Sequence, residues 1–315
     1  MKFFKFVFIF LFFISGCAPK ARLHPNAINL NNKGIELMKE GDYKGAKSAF
    51  ILALEYTPDF AESYNNLGLV AMKHGDLISA QDFFSEAIRL NPNLAEAWNN
   101  AGVLHSRLGN SEEAGECFIK ALEINPGHIQ ARLNFAEYLL EKGDIQNAET
   151  EVLKVLAINS ENLTANLLLG GIRLQQKDFE RARKTIEKTI KLNPQSAHAW
   201  LLMANLYIQM NLMGEAKIAL EKADSLAPEE KLWVKLGMAY TATGNTSKAE
   251  MYFKKVLESN PSNPYAITGM VIIASNTGDK KEIEKACSLY NQTGKNISSE
   301  ADKICKNREK KNNSL

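Results

Sequence analysis

Two residue types stand where this chain could do chemistry: asparagines that recur at a fixed step, and cysteines near its two ends. The pairs Asn31-Asn32, Asn65-Asn66 and Asn99-Asn100 are separated by 34 residues, and Asn134 continues the second column. A carboxamide offers both a donor and an acceptor, so a row of them matches the unpaired backbone of an extended peptide without reading its side chains. The same amides have a second use, holding a helix or its neighbour in place. Cys287 and Cys305 lie close together near the C-terminus, where an oxidising compartment would allow them to pair. Cys117 sits beside Phe118 and reads as a small buried hydrophobe. The five histidines, His24, His74, His105, His128 and His198, have no partner at ligand spacing, so no metal site is expected. The chain has no phosphate-cradling glycine loop, no HExxH helix and no Gly-x-Ser-x-Gly elbow, so neither catalysis nor a cofactor is expected.

The elements that position the amides repeat with the same period. Gly34, Gly68, Gly102, Ala136 and Gly170 share one column at a step of 34, and Pro58, Pro92 and Pro126 share another. The unit 61–94 carries Tyr64, Leu67, Gly68, Ala80, Phe84, Ala87 and Pro92, and the unit 95–128 repeats them as Trp98, Ala101, Gly102, Ala114, Phe118, Ala121 and Pro126. Gly41-Asp42, Gly75-Asp76, Gly109-Asn110 and Gly143-Asp144 break the chain mid-unit, glycine taking a left-handed cap and Asp or Asn capping the next helix. This pattern resembles the tetratricopeptide repeat family over roughly residues 27–290. The resemblance implies an all-α solenoid of about seven to eight helix-turn-helix repeats forming a right-handed superhelix. Seven repeats are expected over 27–263, with a degenerate eighth repeat or capping helices over 264–292 and a polar, basic, partly disordered tail over 293–315. The unit starting at residue 197 is one residue short.

Within each first helix, positions 4, 7, 8 and 11 fall on one face and positions 2, 5, 6, 9, 12 and 13 on the other. The second face is expected to line a concave groove, which puts Asn31, Asn32, Asn65, Asn66, Asn99, Asn100 and Asn134 on it, with Lys73 and Arg107 as its obvious basic pair. Helices stack roughly 8–10 Å apart and an extended peptide advances about 3.3 Å per residue, so each rung would meet about every third peptide residue. Position 6 becomes Leu168, Leu202 and Lys235 in the later units, which predicts a more apolar surface there and room for a second partner.

Ahead of the repeats, Lys2 and Lys5 precede the apolar run Phe6 to Ile14, followed by Ser15-Gly16-Cys17. A run this short, basic at its start and ending in small residues, reads as a secretory signal over 1–16 and not as a membrane span. Its end resembles a bacterial lipobox, which implies that Cys17 is acylated and becomes the first residue of a lipidated tether over 17–26. Two or three acyl chains give stable anchoring. Ala18, where Asp would signal inner-membrane retention, implies the outer membrane facing the periplasm. Loss of Lys2 and Lys5 with the signal takes the 38 Lys+Arg to 36, equal to the 36 Asp+Glu, so no electrostatic case for nucleic acid remains. A lipid anchor joined to such an array is similar in architecture to the pilotin lipoproteins of type IV pilus biogenesis. The expected function is therefore a protein–protein interaction scaffold for an envelope complex such as a pilus or secretin. The alternative is an adaptor that recruits peptidoglycan enzymes or proteases. Nothing in the residues sets an oligomeric state.

Overall fold

The computed structural model describes residues 23–226, 228–293 and 298–312. These form two compact units, split after Pro126. The first holds three hairpins: α1 (Pro25–Glu40) with α2 (Tyr43–Tyr56), α3 (Ala61–Lys73) with α4 (Leu77–Leu90), and α5 (Ala95–Leu108) with α6 (Ser111–Ile124). The second begins with α7 (Ile129–Glu141), α8 (Ile145–Ile158), α9 (Leu163–Gln175), α10 (Phe179–Leu192), α11 (Ala197–Gln209) and α12 (Met213–Ser225). It continues through α13 (Trp233–Ala242), α14 (Thr246–Ser259), α15 (Pro264–Thr277), α16 (Lys280–Thr293) and α17 (Ser299–Asn312). The described residues contain helix and turn only. None of their helices is long and apolar enough to cross a membrane. The signal and Cys17 lie outside the described residues.

Each hairpin closes on a steric fit between its two helices. A Cβ built on Gly34, Gly68 or Gly102 would come within 2.4, 2.4 and 2.5 Å of Phe50, Phe84 and Phe118, and one on Gly237 within 2.6 Å of Phe253. The glycine at position 8 is thus the space into which the ring at position 24 fits. Repeats lacking the ring also relax the glycine: Ala136 accompanies Val152 and Ala204 accompanies Leu220, all buried. Gly170, opposite the smaller Ile186, keeps a looser 3.1 Å.

The turns follow the expected chemistry except at Asn110, whose side chain makes no capping hydrogen bond to α6. Gly41 and its counterparts Gly75, Gly109 and Gly143 have φ between 76° and 85°. The side chains of Asp42, Asp76, Asp144 and Asp178 accept a hydrogen bond from the backbone N–H three residues on, at 2.8 to 3.2 Å. Lys177 and Asn211 hold the same left-handed turn at φ 60° without glycine. Hairpin follows hairpin through indoles: Trp98, Trp200 and Trp233 donate from Nε1 to the carbonyls of Pro92, Pro194 and Pro228 at 2.9, 3.0 and 3.2 Å. The missing residue of the sixth repeat is taken up just beyond it, where a 3-10 turn over Glu230–Leu232 replaces the first turn of α13.

The two ends are finished differently. On α1, positions 3, 7 and 10 are the exposed Asn29, Lys33 and Glu36, whereas α5 buries Ala97, Ala101 and Leu104 there. A polar face is what a first repeat needs, since no earlier hairpin among the described residues covers it. At the other end, the segment expected as a polar, basic, partly disordered tail over 293–315 carries α17 from Ser299. Ala301, Ile304 and Cys305 recur at helical spacing and pack with Ile267, Val271, Cys287 and Tyr290, and this apolar stripe, short as it is, seats the helix.

Replacing Gly68 by alanine should lower the unfolding free energy by about 1–3 kcal/mol through overpacking. Combining it with Phe84→Leu, the pairing that Ala204 and Leu220 already use, should recover part of that loss in a urea titration. An undiminished midpoint for Gly68→Ala would contradict the fit.

Candidate functional site

The asparagine ladder is built, but its amides face one another. Asn66 donates from its amide to Asn31 Oδ1 at 2.9 Å, and Asn100 donates to Asn65 Oδ1 at 2.9 Å. Ser63 Oγ donates to Asn31 Oδ1 at 3.1 Å, Asn65 to Asn66 Oδ1 at 3.5 Å, and Asn99 to Asn100 Oδ1 at 3.2 Å. Position 5 of one repeat therefore accepts from position 6 of the next, and Asn31, Asn65, Asn66 and Asn99 are buried. This corrects the groove assignment for position 5. It sits in the seam between hairpins, where a polar group must find a protein partner. Asn32 is exposed, Asn100 and Asn134 are half-buried, and Asn134 Oδ1 accepts from Gln130 at 2.8 Å. Lys73 and Arg107 end their helices exposed, Lys73 with its ammonium 5.5 Å from the centre of the Tyr43 ring.

The surface with the shape of a binding site lies in the second unit. Gly171, Leu174 and Gln175 of α9, Leu202, Asn205, Ile208 and Gln209 of α11, and Met238, Ala239 and Ala242 of α13 line a cleft of about 450 Å³. It shares Met238 and Ala242 with a second cleft of about 730 Å³. There α15 supplies Tyr265, Thr268, Gly269, Ile272 and Asn276, and Ser298 to Glu300 form a wall. Met238 and Tyr265 are 51% and 56% exposed, unusual for large apolar side chains inside a concavity. Leu202 was marked by the sequence as part of an apolar surface. Leu174, Ile208, Met238, Tyr265 and Ile272 were not, although apolar residues at positions 9 and 12 were a readable signal.

That wall is held covalently. Cys287 of α16 and Cys305 of α17 are joined in a disulfide, and both are buried. Tyr290 adds its hydroxyl, which donates to Asp302 Oδ1 at 3.2 Å and accepts from the Ser298 N–H at 3.3 Å. The free thiol of Cys117 is pushed up to about 11 by burial and by Glu116 and Glu113, so it stays protonated and unreactive.

Several charged groups of this unit act on one another. Burial in the concavity, then Lys235 and Lys231, hold His198 down to about 4. Glu137 is raised, first by crowding of the protein around it and then by Glu141, although its surface still meets solvent. Glu137 and His198 thus both feel the charges of Lys231 and Lys235. Among the described residues no group of His, Cys, Asp and Glu is arranged to hold a metal ion.

A family model described as the cilia and flagella-associated protein 70 C-terminal domain matches residues 34–193, and two tetratricopeptide repeat models match 173–237 and 230–263. The chain belongs to the tetratricopeptide repeat family. No curated protein matches it. Among solved structures, a tetratricopeptide repeat protein from Parabacteroides merdae is 20% identical, covering 86% of this chain and 99% of that one, with a TM-score of 0.61. Pseudomonas aeruginosa PilF is 19% identical over 64% of this chain and 91% of its own, with a TM-score of 0.57. A chain of the APC/C hetero-tetramer Cut9–Hcn1 is 15% identical with a TM-score of 0.67, and 88% of this chain spans 55% of that one. At these identities the likeness is one of fold. Tetratricopeptide repeats are scaffolds for protein–protein interaction that hold peptides or proteins in a groove.

Asn66→Ala should lower stability by about 1–3 kcal/mol, because the buried Asn31 Oδ1 loses one of its two donors and the buried Asn65 amide loses its acceptor. Leucine at both Asn31 and Asn66, as the later repeats carry at these columns, should cost less than the single change. A second expectation concerns pH. The unfolded imidazole titrates near 6.5 while His198 is held to about 4. The unfolded chain therefore binds the extra proton first, and stability falls as pH drops from about 6.5 towards 4. His198→Gln should flatten that part of the urea-midpoint profile, and an unchanged slope would contradict the shift.

Proposed function

We propose that this chain is a membrane-anchored interaction scaffold of the bacterial envelope. Acylated Cys17 holds it at the outer membrane facing the periplasm, and the cleft of its second unit takes a segment of a partner polypeptide during assembly of an envelope complex. The observation that carries the reading is the continuous apolar cleft over α9, α11, α13 and α15, with Met238 and Tyr265 left open in it. Contiguous apolar surface of this kind on a soluble fold marks an interaction site.

Type IV pilus or secretin biogenesis is the assembly we favour. Its support is architectural: a signal ending in Ser15-Gly16-Cys17, followed by a repeat array of the fold that PilF also has. The Cys287–Cys305 bond is consistent with export to a compartment that oxidises thiols. The half-buried Asn100 and the exposed Asn32 leave the first unit a polar surface that a second segment of the partner can use.

Photo-crosslinking groups placed at Met238 and at Tyr265 in living cells should capture the same partner, whereas one at Ile218 on the outer face should not. Met238→Glu, at an exposed position, should leave stability within about 0.5 kcal/mol. In a titration with the captured partner it should weaken binding roughly tenfold, equivalent to about 1.4 kcal/mol. Unchanged affinity would remove the cleft from the binding site.

A further inference from the structure

The first repeat departs from the others at two positions, in a way its own packing does not require. Position 26 is Glu86, Lys120, Lys154, Lys188, Lys222 and Lys255 in repeats two to seven, and Leu52 in the first. Position 2 is Glu62, Glu96, Gln130, Thr164, His198 and Lys231 in the same repeats, and Ile28 in the first. In an inner repeat the charge at position 26 has work to do: Lys188 Nζ reaches the Ser160 carbonyl of the preceding hairpin at 2.7 Å. Among the described residues no hairpin precedes the first repeat, so a solvated lysine would serve as well there as anywhere on the surface. It carries leucine instead.

These apolar residues gather where the chain enters the fold. The His24 ring stacks on Tyr56 with centroids 5.0 Å apart, and the His24 N–H donates to Thr57 Oγ1 at 3.1 Å, fixing the entry point. Ile28 lies one turn beyond His24 on α1, and Leu52 one turn before Tyr56 on α2. Leu23, Ile28, Leu52 and Tyr56 are 37, 39, 41 and 47% exposed. From Cys17 to His24 there are seven peptide steps, a reach of at most about 25 Å. On the reading that Cys17 is acylated, this edge cannot leave the neighbourhood of the bilayer, and Lys20 and Arg22 in the intervening sequence suit anionic headgroups.

We infer that the edge formed by Leu23, Ile28, Leu52 and Tyr56 is a membrane-contact surface that seats the first hairpin in the lipid interface beside its own anchor. The inference rests on the anchored reading of Cys17 and adds a fixed orientation to it. Four partly exposed apolar side chains add a second attachment to the acyl chains and limit swivelling on the tether.

The test uses the full-length protein purified from membranes and reconstituted into vesicles of phosphatidylethanolamine and phosphatidylglycerol carrying brominated acyl chains. Tyr56→Trp places a reporter at the edge, and Ile158→Trp places one at the equivalent position of the fourth repeat. The expected result is loss of the added fluorescence to the brominated lipid at position 56 and not at 158. That loss should disappear when Leu52→Lys and Ile28→Glu, residues other repeats carry at these positions, are added, with the thermal melt unchanged. An unquenched position 56 in protein whose Cys17 is acylated by mass spectrometry overturns this inference and leaves the anchor standing. Equal quenching at 56 and 158 also overturns it, since no particular edge is then lodged in lipid. An unmodified Cys17 overturns the anchored reading and the inference with it.

Discussion

The structure depends on how closely two helices of one hairpin can approach. With a 2.4 Å gap between an ideal Cβ at Gly68 and the Phe84 ring, the ring occupies the volume any side chain would need. The position-8 and position-24 residues behave as one unit of volume, traded between glycine with phenylalanine and alanine with valine or leucine. Interiors are packed densely enough that most repeats hold to this sum and not to the identity of either member, Gly170 with Ile186 being the looser exception. Once it is met, every hairpin presents nearly the same flank to the next, and repetition follows.

What changes along the chain is the seam between hairpins. Position 5 is Asn31, Asn65 and Asn99 in the first unit, and Leu133, Leu167, Leu201 and Val234 in the second. The first seam is therefore tied by buried amides, which are directional and costly to leave unpaired, and the second by apolar packing with charged clips at its margin. Glu149 in the fourth repeat meets Arg173 at 3.8 Å and Gln176 at 2.7 Å in the fifth, and Asp224 in the sixth accepts from Lys248 and Tyr252 in the seventh.

The repeat units, their turns and their caps were legible because each is a local rule: glycine for a left-handed turn, aspartate for a helix start, a small residue opposite a ring. The seam was not. A helical wheel puts positions 5 and 6 on one face, but the next hairpin covers part of that face, and the angle at which it arrives is a property of two repeats together. Hence Asn65, read as a rung for a ligand, is buried and accepts instead from Asn100 of the next repeat. The cleft was half legible. Leu202 stood out because it replaced an asparagine, whereas Met238 and Tyr265 looked like ordinary apolar residues until their exposure was known.

The wall formed by Ser298 to Glu300 shows how a short, polar helix can be given a defined place. Helix α17 has 14 residues, most of them charged or amide, and among the described side chains it brings Ala301, Ile304 and Cys305 to the core. A helix of that length is marginal by itself, and so small an apolar stripe does not offset the entropy of docking it. The Cys287–Cys305 link closes a separation of 18 residues, and a loop of that size is worth about 3 kcal/mol against the unfolded chain. The covalent bond, more than the packing, then keeps α17 against α15, and through it the last side of the cleft. A disulfide whose two sulfurs are buried beneath the helix it secures is also shielded from reductant, so the wall stays in place for as long as the hairpins beneath it remain folded.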